Sequence, residues 1–572
     1  MQVFHLLSVF KRKLGEVLGA DLRSLAALRV TMAVLIIFDL LLRSRDLVAH
    51  YTDAGALPRV AVLDQTRSRW LISLHLINGT WEIQAMLFVI AGAFAVALLV
   101  GYKTRLATIV SWILLASLDS RNLVVLDGGD TMLRVLLFWA IFLPWGTRWS
   151  VDSALSPPAE GAPNQIISCS TFAYIMQVVF VYWFTVLYKT GPEWRADGTA
   201  VYYALNVDKM VTPIGQYLLE FPGLLKPLTH AVFWYEVIGP LLLFSPVFTG
   251  PIRTLTIVGF ALFHLGIASC MKIGIFPYIG TLSMLGLLPP WFWEKIGDAS
   301  KTKDRLGLRI YYNQDCGFCA RSVGLIKTFF LLPKVELFPS TIDPSIERDM
   351  TLHNSWVLLD AKENRYFGFR GVIAALKRSP LFWPLASMLK LGWMAAIGEH
   401  LYSWVAIHRR VTCALPMSSD QTALKMSPIQ NFFVLFLLVY VFFWNLATLP
   451  NTGIKFSERT RSIGYVLRLD QTWNMFALYP LKDDGWYVIP GRLKDGEVVD
   501  LDLDNDGARV TLDRPSSISQ TYKNYRWRKY LDNLLSESIR SYRVYYAEYL
   551  CRAWNVRHNG SEIRRIRHHL YA

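Results

Sequence analysis

VLYKTGPEW, residues 186–194, sets a lysine directly after an apolar run and closes on a tryptophan. The run before it, 172–188, approaches the length of about 20 residues that a helix needs to cross a bilayer. Lys189 therefore stands at a helix end, where it either stretches its stem toward the headgroups or is held inside for a purpose. The neighbouring sequence decides the class of fold. Apolar stretches recur at 25–42, 81–100, 106–118, 132–145, 231–248, 255–270 and 275–293, and another, 432–449, stands apart after a long polar gap. This spacing predicts about eight spans and then a ninth, in an integral membrane protein.

Composition points the same way. Of 572 residues, 53% are hydrophobic and 18% are charged, against about 25% charged in an ordinary soluble domain. The start, MQVFHLLSVFKRKLGEVLGADLR (1–23), reads as an amphipathic helix on the membrane surface rather than a cleaved signal, because no small-residue cleavage site follows an apolar core. The net charge is +15, and residues 509–567 carry an excess of Lys and Arg. Attraction to anionic membrane lipid accounts for such a tail. No nucleic-acid module frames these charges, so nucleic acid is not an expected partner.

The polar gap holds a different kind of sequence. IYYNQDCGFCARSVGLI (310–326) runs from a short strand into Cys316-x-x-Cys319 and an amphipathic helix. Strand-like 308–312, VELFPS, SWVLLD and 366–369 alternate with helical patterns at 320–332, 371–377 and 381–409, which suits a small α/β domain. Residues 291–307 read as its linker. Cys169, Cys270, Cys413 and Cys551 read as packing thiols. A Cys-x-x-Cys suits a redox dithiol, half a zinc site or a structural pair. Zinc needs further ligands at suitable spacing, and distant His408 and Cys413 do not supply it, so no metal is expected.

Ionisable groups in or beside apolar stretches are costly and so are functional candidates. Besides Lys189 they include Asp127 and Asp130 in SRNLVVLDGGDTMLR (120–134), Glu236, and His264 in FHLGIASCMKIGIFPY (263–278). Plainer readings stand beside these: a helix cap for Asp-Gly-Gly-Asp, and an interhelical hydrogen bond for His264.

Taken together, GALPR (55–59), GYKTR (101–105), RNLVVLDGGD (121–130), FLPWGTRWSVD (142–152), YKTGPEW with Gly198, and FH followed by IGIFPY resemble the HTTM family. This is the membrane domain shared with vitamin K-dependent γ-carboxylase, and the likeness covers residues 20–297. In the carboxylase a lysine on this motif is proposed to deprotonate vitamin K hydroquinone. Oxygen then yields an alkoxide that removes a glutamate γ-proton, and carbon dioxide adds. Lys189 falls on that lysine, and His264 matches the family's Phe-His. Residues 305–415 resemble the DCC family of thioredoxin-like thiol–disulfide oxidoreductases, at YYNQDCGFCARSV (311–323) and HLYSWVAIHRRVTCALP (400–416). By that resemblance Cys316 attacks a disulfide and Cys319 resolves the mixed intermediate. QTWNMFALYP (471–480) and GWYVIPGRLKDGEVVDL (485–501) resemble a tail seen after bacterial HTTM domains, with Trp473, Trp486 and Trp527 as core or interface aromatics.

The expected architecture is a polytopic α-helical membrane domain of about eight spans (1–298), a thioredoxin-like α/β domain of DCC type (299–416), a connector with one further span (417–450) and a small, basic, aromatic-rich α+β C-terminal domain (451–572). The resemblances imply a bacterial inner-membrane protein with the dithiol on the side of the N-terminus and the tail across the bilayer. They imply a quinone-linked redox enzyme, acting as a thiol–disulfide oxidoreductase, a carboxylase-like lyase, or both. Cys316, Cys319, Lys189 and His264 are the expected catalytic residues; Trp194, Asp130 and Glu236 are the expected cofactor-binding ones. The cofactor implied is an isoprenoid quinone of the menaquinone or vitamin K type, and the partner a protein thiol or disulfide. The alternative is a lipid- or solute-handling protein, a transporter or an assembly factor, with the dithiol as redox sensor.

Overall fold

The computed structural model describes residues 12–65, 70, 72–157, 162–299, 307–332, 335–408, 426–501, 510–558 and 563–566; Cys413 and residues 1–11 lie outside these. The membrane half is built from α1 (Leu22–Ser44), α2 (Trp81–Val100), α3 (Thr104–Arg121), α4 (Gly128–Ala140), α5 (Cys169–Tyr188), α6 (Pro222–Leu242), α7 (Thr249–Cys270) and α8 (Phe276–Ser283). Among the described residues five helices are long and apolar enough to cross a membrane: α1, α2, α5, α7 and the later helix Pro428–Thr448. The other expected spans fall on helices that are shorter or more polar. α3 carries Arg105, Asp119 and Arg121, α6 carries Lys226, Glu236 and two internal prolines, α4 has 13 residues, and α8 continues as a 3-10 turn through Met284–Leu287.

Local chemistry fixes the helix ends. Asp21 caps α1 by accepting from Arg23 N–H. Asp127 and Asp130 form a reciprocal capping box at the start of α4, and Ser168 and Thr171 another at α5. α2 stops at Gly101, whose φ of +70° is the left-handed conformation a side chain resists. Packing does the rest. Met132 to Ala140 are all buried, so α4 is enclosed on every side by the bundle. The same core holds Met32 of α1, Val178 of α5, and Val434 and Val441 of the last span.

The chain alternates between two ends of this bundle. At one end the strand pair Ala20–Asp21 and Gln165–Ile166 closes the entry to α1, and Arg29 grips the carbonyls of Leu98, Leu99 and Trp149. Arg253 near the start of α7 reaches the carbonyl of Val17 there. At the other end Arg43, Asp130 and Thr212 meet the C-terminal residues and the last turn of α7.

The second domain sits at the first of these ends. Its sheet comprises β1 (Arg309–Tyr312), β2 (Glu336–Pro339), β3 (Val357–Leu359) and β4 (Arg365–Tyr366), in the order β2-β1-β3-β4. β1 and β2 are parallel, while β3 is antiparallel to β1 and β4 to β3. Helix α9 (Gly317–Phe329) joins β1 to β2, α10 (Pro344–His353) joins β2 to β3, and α11 (Gly368–Lys377) follows β4. Gly324 of α9 lies against Ala154, where an added Cβ would stand 2.7 Å from the Ala154 carbonyl oxygen. α12 (Gly392–His408) completes this part, and α13 (Pro428–Thr448) then crosses to the other end.

Beyond α13 the chain turns back into the bundle. After a short helix (Glu458–Val466), residues 469–474 carry no regular structure, yet Leu469 and Trp473 are fully buried. Irregular backbone at that depth needs protein partners. Arg134 of α4 supplies two, donating to the carbonyls of Arg468 at 3.0 Å and Asp470 at 2.7 Å. Gln471 meets Gln177 of α5 at 2.8 Å, and Trp444 Nε1 donates to the Gln471 carbonyl at 3.0 Å. A small sheet around Pro490–Leu493 and the helices α14 (Tyr525–Leu534) and α15 (Tyr542–Arg557) finish the fold.

Candidate functional site

Lys189 is the residue at which α5 stops. Its side chain turns inward rather than toward headgroups and is 3% exposed. Nζ stands 2.5 Å from Glu236 Oε2 of α6 and 4.0 Å from the centre of the Trp194 ring. Trp194 is held in turn by its Nε1, which donates to the Phe476 carbonyl at 3.0 Å, so the tail motif after α13 forms one wall of the site. Pro240 lies four residues after Glu236 and has no N–H to give its carbonyl. Three predicted residues, 189, 194 and 236, thus meet in one buried cluster of an ammonium, a carboxylate and an aromatic face.

His264 occupies the middle of the bundle on α7. Tyr182 Oη lies 2.8 Å from its Nε2, while Nδ1 is buried with no hydrogen-bond partner among the described residues. Gly280 makes room for the ring, because a Cβ there would fall within 2.4 Å of it.

Asp130 does something else. It is fully buried and takes Arg43 at 2.6 Å and Arg526 at 2.6 and 2.7 Å; Arg526 also donates to Asp39 at 2.7 Å. Arg43 donates to Asp39 at 2.6 Å. Both Asp130 oxygens therefore accept from arginines that fasten α14 to α1 and α4. Arg526 belongs to the stretch read as a lipid-seeking tail, and here it is buried. Asp127 beside it keeps Oδ2 buried and unpartnered among the described residues. Burial, and then the Asp130 charge, push the Asp127 carboxyl up to about 7.

Cys316 caps α9 and is half-buried, with Cys319 buried one turn on. Asn313 closes the preceding turn, accepting from the Asp315 N–H at 2.9 Å. Among the described residues no three ligating side chains gather to hold a metal. The dithiol is at the end of the bundle where α5 begins, whereas Lys189 is where it finishes. The 20 residues of α5 put about 30 Å between these levels, so direct thiol contact with the lysine cluster, which tethering in one chain would suggest, is not arranged.

Sequence reading missed Asp39, Arg43, Asp119 and Arg526, although a buried aspartate and arginine four apart in α1 were the available signal. It also missed Gln177 with Gln471, for which no local signal exists.

A helical bundle with internal charges and five apolar spans defines an integral membrane protein. Residues 19–291 match the HTTM domain family. Over 165 residues the chain is 26% identical to "Uncharacterized protein YitO" of Bacillus subtilis (strain 168), covering 27% of this chain and 51% of that protein, so it spans about half the length of that curated relative. No solved structure matches.

Proposed function

We propose that this is a membrane-embedded redox enzyme in which Lys189 exchanges protons with a quinone-class substrate and the Cys316–Cys319 dithiol exchanges electrons. The observation that supports this most is the buried Lys189–Glu236 pair on the Trp194 ring. A charged pair in low dielectric costs several kcal/mol to bury, and proton transfer from lysine to glutamate would leave a neutral amine able to act as a base. The unpartnered His264 Nδ1 fits a quinone oxygen. We read the second domain as thioredoxin-like, on its β2-β1-β3-β4 order and a dithiol at the start of the first helix. All eight helical segments of the membrane half, and α13, are read as crossings, since the chain alternates ends. The net redox step balances as dithiol plus quinone giving disulfide plus hydroquinone, two electrons and two protons passing together. Because the dithiol and the lysine lie at opposite ends, the reading requires a substrate that moves within the bilayer between them.

The test is thiol trapping on the full chain in nanodiscs. The dithiol is reduced, menaquinone is added, and alkylation of Cys316 and Cys319 is followed by mass spectrometry, with Lys189→Ala as the comparison. Quinone-dependent oxidation that slows in the variant supports the reading. Thiols that stay reduced, or oxidation indifferent to Lys189, overturn it.

A further inference from the structure

The segment that turns back into the bundle leaves an open cleft of about 780 Å³ beside it, at the end of the bundle where α13 finishes and α4 begins. Four cations and two carboxylates line it: Arg134, Arg461, Arg468 and Lys529 against Asp127 and Asp470. Two of the cations are accounted for. Arg134 and Arg468 both bind Asp470, and Arg134 also meets Asp119 at 3.4 Å. Arg461 and Lys529 make no ion pair among the described residues, although they come from different elements, the helix after α13 and α14. The same cleft has an apolar side of Leu123, Leu126, Trp444, Phe456 and Tyr465. A polar cleft beside irregular backbone at bundle depth, with unmatched positive charge and an aromatic wall, is built to hold something.

We propose that this cleft binds a phosphate monoester, with Arg461 and Lys529 on the phosphate and the aromatic wall against an apolar portion. The fork of an arginine and the point charge of a lysine suit phosphate oxygens. A monoester carries about −1.5 to −2 charge near neutrality, which matches the two cations that make no ion pair among the described residues. The phosphate is carried either on a lipid, as in phosphatidic acid, or on a water-soluble ester. The inference stands apart from the chemistry at Lys189 and Cys316.

The experiment uses the full chain and its Arg461→Gln/Lys529→Gln double variant, which changes an exposed and a half-buried side chain with no bond in the fold described. Native mass spectrometry measures retention of phosphatidic acid, phosphatidylglycerol and phosphatidylcholine from mixed bilayers. Equilibrium dialysis measures glycerol 3-phosphate and inorganic phosphate. Selective retention of phosphatidic acid, weakened about tenfold or more in the variant, supports a lipid source. Binding of glycerol 3-phosphate without lipid selectivity, lost in the variant, supports a soluble source. Equal retention of phosphatidylglycerol and phosphatidic acid would mean surface charge alone, and would overturn the proposal. So would equal binding by the variant, or no binding by the wild type.

Discussion

The lysine cluster and the dithiol are built by opposite rules. Lys189, Glu236 and Trp194 come from three separate segments and are shut away from solvent, so the cluster exists only once α5, α6 and the tail motif have packed. Cys316 and Cys319 come from one turn of one helix, and Cys316 stays partly open. The first is a tertiary cluster closed to water. The second is a local pair at a helix start. They lie at opposite ends of the bundle, so the proposed reaction needs a substrate that moves between them.

The largest effect expected from disturbing this arrangement is on the lysine end. Lys189→Ala should slow quinone-dependent turnover by about 10²–10⁴-fold, the usual range for a lost base, and Lys189→Arg should not restore it. Cys316→Ser should abolish thiol trapping while leaving the fold of the membrane half unchanged in thermal unfolding. Next comes Arg526→Ala, which leaves Arg43 as the remaining arginine on Asp39 and Asp130 in the interior. It should cost about 3–5 kcal/mol, seen as undocking of the C-terminal helices by limited proteolysis, whereas Arg526→Met with Asp130→Asn should cost less.

A smaller effect concerns pH. The Asp127 value near 7 lies above the ordinary aspartate value of about 3.9, so folding favours the protonated form. That stabilisation is complete below the unfolded value and is lost as pH rises through 7. Asp127→Asn, which keeps a good helix cap, should flatten the fall in thermal stability between about pH 4 and about pH 7. An unchanged slope would remove Asp127 as its cause.

What could be read in advance follows from the same contrast. The strand, Cys-x-x-Cys and helix of 310–326 are local, and the sequence-based boundaries fall within a few residues of β1 and α9. Apolar length marks α1, α2, α5, α7 and α13 for the same reason. Lys189 was legible as a costly charge beside a span, but its pairing across 47 residues was not. Asp130 was legible as a costly carboxylate beside a span, but its arginine 396 residues away was not. QTWNMFALYP was legible as a tail motif with a core or interface tryptophan, but its place between helices was not, since nothing local tells an irregular segment that it will lie there.

The separation of the two sites is tested most directly by one labelling measurement. In sealed, uniformly oriented vesicles, with native cysteines replaced, Lys362→Cys reports on the dithiol domain and Arg540→Cys on the C-terminal helices. A membrane-impermeant maleimide added outside should label one of these positions and not the other, with the pattern reversed in inverted vesicles. Labelling of both from the same side would place the dithiol and the C-terminal domain on one face, and would contradict the account.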